Sequence, residues 1–218
     1  MTRAVNDATL TKAGDIYQYL IALRDCFELN DGETLQIEIN GDVSIINNTG
    51  DLFQKEVKHH FGETFLSDRD VDFWKTLANW YVDYERVKNF SQYILSTTAK
   101  IAKDSPFYEW DNIDKDEKLK RLKGIGEVSK KKEETFRSQY NRIFTDSYDE
   151  NRLLVILDKF IIEAAKTSLV GISDEFSKYI RSIPEENRDG YIGAFITWAD
   201  IKESNEATTQ VGGGKKRI

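Results

Sequence analysis

Apolar residues recur along the chain in two periods, and the switch between them divides it. Over 13–28, Ile16, Leu20, Leu23 and Phe27 return at helical spacing, and Asn30-Asp31-Gly32 then breaks the pattern. Residues 1–10 carry no periodicity and are expected to fray. From Leu35 the period falls to two. Leu35, Ile37 and Ile39 alternate with Gln36, Glu38 and Asn40, which predicts a half-buried strand. Asn40-Gly41 permits a tight bend into a second short strand through Val43 and Ile45. Residues 47–51 read as a turn, and LFQKEVKHH (52–60) as a third strand.

Helical spacing returns over 70–88, where Phe73, Trp74, Leu77, Trp80, Tyr81 and Tyr84 form one broad face. The β-branched and aromatic run at 90–99 predicts a further strand. Beyond Pro106 the strand signal disappears. Residues 114–142, 150–168 and 172–182 look helical, Ile183-Pro184 stops the last of these, and a final helix covers 188–201. The tail from Lys202 lacks a core pattern, and its Gly212-Gly213-Gly214 followed by two lysines and an arginine looks like a linker or disordered end. The expected class is α+β (α/β): a small mixed sheet flanked by helices, followed by a helical C-terminal region. The expected division is a core at 10–105, a helical region completing it at 106–202, and a tail at 203–218.

Length and composition narrow the functional classes. A chain of 218 residues with 39% hydrophobic and 12% aromatic content suits one domain with a true core. No apolar run approaches a membrane span, and the N-terminus lacks the apolar stretch of a signal peptide, so a cytoplasmic protein is expected. Cys26 is the single cysteine, which excludes an internal disulfide and a multi-cysteine zinc cage. The net charge of −7 argues at first against a polyanionic partner. It is an average: residues 114–142 hold ten basic against six acidic side chains, or +4, leaving −11 for the rest.

Side-chain parity suggests where chemistry could sit. On the third strand Gln54, Glu56, Lys58 and His60 share one face, and Phe53, Lys55, Val57 and His59 the other. Glu38 and Asp42 share the polar parity of the preceding hairpin, and a short connection would bring Asp42 beside Glu56. An acid followed by Glu-x-Lys suits metal-assisted phosphodiester hydrolysis. Mg²⁺, with Mn²⁺ as a substitute, takes one or two carboxylates and completes its shell with water and phosphate. Asp42, Glu56 and the backbone carbonyl of Val57 are the candidate ligands. Lys58 could orient or deprotonate the attacking water, or neutralise charge on phosphorus. The bland alternative is that Glu56 and Lys58 form an ordinary surface ion pair.

Several segments, in order, resemble a known family. GDIYQYLIALRDC (14–26), IEINGDV (37–43), FQKEVKHH (53–60), DVDFWKTLANW (70–80), ILSTTA (94–99), the Asp104-Ser105-Pro106 turn and GAFITWADI (193–201) are similar to the double-stranded-DNA nuclease domain of bacterial anti-phage effectors. That family is a branch of the PD-(D/E)xK restriction-endonuclease-like superfamily, and the resemblance spans residues 10–202. It implies a restriction-endonuclease-like core and a Mg²⁺-dependent endonuclease acting on double-stranded DNA with little sequence preference. It makes Asp42 the metal-binding aspartate, Glu56 the middle acid and Lys58 the catalytic lysine, with Gln18 facing the site. It also implies a homo-oligomer, and a regulatory partner outside this chain, either a sensor domain or a HerA-like ATPase. Two departures stand out. Gly41 replaces a second acid that is common before the valine of the second strand, for which Glu38 either compensates or is a strand-surface residue. FQKEVKHH also offers registers centred on Gln54 or Glu56, and the spacing to Lys58 favours Glu56.

Other candidates have competing readings. His59 and His60 could touch phosphate or metal, or be incidental strand residues. Trp74 and Trp80 sit at core spacing, whereas Lys75 points away from that face and could reach DNA. The Gly-Ile-Gly at 124–126 superficially resembles a helix-hairpin-helix turn, but Ser-Lys-Lys-Lys-Glu-Glu after it lacks the apolar period of a second helix. The basic stretch either steers DNA or is a solvated helix pair with balanced charges. A different functional class stays open, in which the fold is a catalytically inactive scaffold recruiting an ATPase or sensor. Action on RNA is a third possibility.

Overall fold

The period-two segment folds into an antiparallel meander. In the computed structural model, which describes residues 8–128, 133–169, 171–205 and 209–212, helix α1 (Ala8–Cys26) leads into β1 (Thr34–Ile37), β2 (Val43–Asn47) and β3 (Gly50–Lys58). Register places Gln36 opposite Ser44, Ser44 opposite Gln54, and Val43 opposite Lys55. The Asn47 side-chain oxygen closes the β2–β3 turn by accepting from the N–H groups of Thr49 (2.9 Å) and Gly50 (3.0 Å).

From β3 the chain crosses through α2 (Val71–Val82) and α3 (Tyr84–Val87) to β4 (Gln92–Thr97), which lies parallel to β3 with Leu95 beside Glu56 and Thr97 beside Lys58. Asp70 caps α2 by accepting from the N–H groups of Asp72 (3.0 Å) and Phe73 (3.1 Å). After a 3₁₀ turn at Trp110–Asn112 come α4 (Lys115–Glu127), α5 (Glu134–Ile143), α6 (Glu150–Lys159), β5 (Phe160–Glu163), α7 (Ile172–Phe176), α8 (Glu185–Asn205) and β6 (Thr209–Gly212). The mixed sheet has the order β5-β4-β3-β2-β1-β6, with β5 parallel to β4 and β6 antiparallel to β1. Among the described residues no helix is long and apolar enough to cross a membrane.

Alternation in the strands splits the core into two clusters. One packs Tyr93 and Leu95 against α2, α4, α5 and α6, and its centre is aromatic: Phe73 meets Phe107 at 4.2 Å and Trp80 meets Phe160 at 5.0 Å between ring centroids. Trp74 and Trp80 are fully buried here, so they serve the core. Truncating either to alanine costs about 3–5 kcal/mol. The second cluster packs Leu35, Ile37, Val43 and Val57 against α1, α7 and α8.

The departures from expectation have local causes. The helix expected over 70–88 is broken at Asp83, whose N–H bonds the Asn79 carbonyl (2.9 Å), and α3 restarts from there. The helix expected over 150–168 ends at Lys159, and Phe160–Glu163 is a strand, so strands do occur beyond Pro106. The three-residue apolar run Phe160–Ile162 has no period of its own; the open edge of β4 decides it. Lys118 stabilises the switch. Its buried ammonium donates to the carbonyls of Leu157 (3.0 Å) and Phe160 (2.8 Å), which also accept from the Phe160 N–H and the Trp110 indole N–H respectively.

The 114–142 stretch is two helices, α4 and α5, and α4 runs through Gly124 and Gly126, so no hairpin turn forms at that Gly-Ile-Gly. The third predicted helix shortens to α7. Within the expected tail, 202–205 continue α8 and Thr209–Gly212 pairs with β1; the remainder lies outside the described residues. So do residues 1–7 of the segment expected to fray, whereas 8–10 are helical.

Candidate active site

Where the β2–β3 ladder ends, the side of β3 that faces β2 opens. The last pair is Val43 with Lys55, so Val57 projects its N–H past the start of β2, where the Asp42 Oδ2 accepts it at 2.7 Å. N–H and C=O of one residue in an extended strand point to the same side, so the Val57 carbonyl faces this opening too. Glu56 and Lys58 flank Val57 on the other face of the pleat. The Lys58 ammonium lies 3.2 Å from Glu56 Oε2 and 3.5 Å from Asp42 Oδ2. These side chains border a cavity of about 350 Å³ whose far wall is Lys75, Thr76 and Asn79 of α2 and Arg86 of α3.

The segment between β1 and β2 sets Asp42. Glu38 has left-handed backbone (φ 59°) and its N–H donates to the Asp42 carbonyl (3.2 Å). Gln18 of α1 reaches across the end of the meander, donating to the same carbonyl (3.3 Å) and to the Glu38 carboxylate. Strand parity does not reach Glu38, which lies outside β1; Gln18 instead ties it to the site. Gly41 has φ 116°, and a Cβ built there falls 1.8 Å from Gln54 Nε2 and 2.9 Å from Glu56 Oε1. Gly41 is therefore sterically required: no side chain fits at this position while Gln54 packs over it. Gln54 is buried and donates to Glu56 Oε1 at 3.1 Å, while its own Oε1 is buried with no hydrogen-bond partner.

Electrostatics follow from this crowding. Burial, then the charge of Asp42, raise the Glu56 carboxyl to about 7 against the pull of Lys58. Burial opposes the Lys58 charge, but Asp42 and Glu56 together outweigh it and hold the ammonium above its ordinary range. The site thus carries two carboxylates whose mutual repulsion is only partly offset by one cation. Among the described residues no cluster of three or more His, Cys, Asp or Glu could hold a metal. Two carboxylates and a carbonyl nevertheless match the sparse protein ligation that Mg²⁺ accepts.

The remaining sequence candidates separate. Lys75 is exposed and borders the cavity. His60 follows the expected parity: its Nε2 lies 3.9 Å from Asp72 Oδ2 at the start of α2, and its N–H donates to the Thr98 hydroxyl (2.8 Å). His59 turns away into the α1 side, where its Nε2 accepts from the Leu169 N–H (3.2 Å) and its ring packs between Tyr17 and Phe61. Desolvation and neighbouring His60 lower its proton affinity, as suits a structural acceptor.

Much of the basic 114–142 stretch is engaged internally. Lys118 caps α6, Arg121 bonds Glu117 and the Pro106 and Tyr108 carbonyls, Lys123 pairs with Glu150, and Arg137 bonds Glu133 and the Gly126 carbonyl. This favours the helix pair with balanced charges over DNA steering, apart from 130–132, which lie outside the described residues. Sequence reading missed Thr76, Asn79 and Arg86 as wall residues. Asn79 was accessible, since it lies one turn after Lys75 on the same face of the helix; nothing local marks Arg86. No family model matches the chain, and no curated protein matches it.

Proposed function

We propose that the chain is a metal-dependent endonuclease domain that hydrolyses phosphodiester bonds of double-stranded DNA with little sequence preference. The observation that carries this reading is the convergence of Asp42, Glu56, the Val57 backbone edge and Lys58 at the open end of β3. The order helix, antiparallel meander, helix, parallel strand supports a restriction-endonuclease-like core.

The donor set fits a hard divalent cation. Asp42, Glu56 and the Val57 carbonyl would hold Mg²⁺ or Mn²⁺, which supplies a Lewis acid for the phosphate and a more acidic water. Gln54 orients the Glu56 carboxylate, and Gln18 with Glu38 fixes the loop that presents Asp42. Lys58, beside both carboxylates, would orient or deprotonate the attacking water or neutralise charge growing on the phosphate. Lys75 and Arg86 on the facing wall attract the DNA backbone without reading bases. A place as the effector of an anti-phage system, held in check by a sensor domain or a HerA-like ATPase, rests on the segment resemblance.

The test is plasmid degradation with Mg²⁺ or Mn²⁺ by the parent, Lys58→Ala and Asp42→Ala. Both variants should lose at least about 100-fold in rate. Equal rates in all three proteins sink the assignment. A parallel RNA arm decides the nucleic acid. An inactive parent that binds no Mn²⁺ by calorimetry leaves the scaffold reading, which the count of only two carboxylates favours.

A further inference from the structure

Helix α8 is apolar on two sides. Its inner side, with Ile192, Ile196 and Ala199, packs into the cluster that holds α1. Its outer side carries Tyr191, Ala194, Trp198 and Ile201, spaced by three, four and three residues. Tyr191 is 46% exposed, Trp198 38% and Ile201 54%, and Ala194 is exposed with them. Exposed Thr197 and half-buried Phe195 flank this line, and Phe195 meets Trp198 at 5.7 Å between ring centroids.

Two features of this side say what covers it. The first is missing charge: residues 190–199 contain no Asp, Glu, Lys or Arg, in a chain that is 32% charged. A solvated helix face carries charge, whereas the centre of a protein interface loses it and gains Tyr and Trp. The second is the spacing, which is the seam along which one helix packs against another. Side-chain size then selects the partner helix. Take a second α8 running the opposite way, with a two-fold axis near Ile196. Trp198 then meets Ala194 of the partner subunit, Phe195 meets Thr197 of the partner subunit, and Tyr191 meets Ile201 of the partner subunit. Wide falls on narrow at Trp198 and Phe195, and the two-fold repeats each fit. A parallel pair would instead set Trp198 against Trp198 of the partner subunit.

We propose that the outer side of α8 is the interface of an antiparallel two-fold dimer of this chain. From Tyr191 to Ile201 the seam runs only about 15 Å. The contact is therefore small, and the dimer dissociates in the micromolar range. No residue of the β3 site enters it.

The experiment is sedimentation velocity on the full chain, without DNA or metal, at concentrations up to several hundred micromolar. A monomer–dimer equilibrium is expected. Trp198→Glu should weaken it by at least about 10-fold. Ala194→Trp should do the same, because two wide side chains then collide. Combining Ala194→Trp with Trp198→Ala exchanges the sizes and should bring dissociation back to within about 5-fold of the parent. Thermal melts check that these variants, altered at exposed positions, fold. Lys58→Ala should dimerise as the parent does, which separates this result from nuclease activity. A chain that stays monomeric throughout leaves the face to another protein and overturns the proposal. So does a dimer indifferent to Trp198→Glu, or one that the exchange of sizes fails to restore.

Discussion

Replacing Gly41 by alanine isolates the contact that shapes the candidate site. Two costs arise. An L-residue at φ 116° is strained by about 2–3 kcal/mol whatever surrounds it. The new methyl would also sit 1.8 Å from Gln54 Nε2, far inside contact distance. Gln54 must then swing away, giving up its 3.1 Å bond to Glu56 and its close packing, which adds about 1–2 kcal/mol. The two parts separate in a double-mutant cycle followed by urea denaturation. In the Gln54→Ala background only the 2.9 Å approach to Glu56 Oε1 is left for the methyl to meet, so Gly41→Ala should cost the backbone part and that smaller contact. A coupling of about 1–2 kcal/mol between the positions is expected. Equal costs of Gly41→Ala in both backgrounds would refute the steric role of Gln54 at this position.

Lys118→Met should destabilise the chain by about 2–4 kcal/mol in urea, because two buried carbonyls lose a charged donor; a loss under 1 kcal/mol would contradict the capping role. Lys55→Met should cost about 3 kcal/mol by leaving Asp25 buried with Arg24 alone, and Lys55→Met with Asp25→Leu should recover much of that loss; a double variant weaker than the single one would argue against it. The folded chain holds the Glu56 proton more tightly than the unfolded chain does, with a carboxyl raised from 4.5 to about 7. Its contribution to stability is therefore complete below the lower value and lost as pH rises through the upper one. Urea midpoints without metal should fall across that window, and Glu56→Gln should flatten the slope; an unchanged slope in the variant would show that another group is responsible.

Local pattern alone carried much of this architecture. The alternation at 35–39, the turn residues at 47–50 and the polar parity of Gln54, Glu56 and Lys58 are properties of adjacent residues, so the meander and one face of the candidate site were legible. The aromatic face of α2 was legible for the same reason. Sequence could not say that Phe160–Glu163 is a strand, because a short apolar run takes its state from the edge it meets, here β4. Nor could it reveal that Gly41 has no room for a side chain, or that Lys118 caps a helix 39 residues away. The Asp25–Lys55 pair was equally hidden, since it joins residues from separate elements. Periodicity reports which face of a segment is apolar. Which charges end up buried together depends on how those faces stack across the sheet.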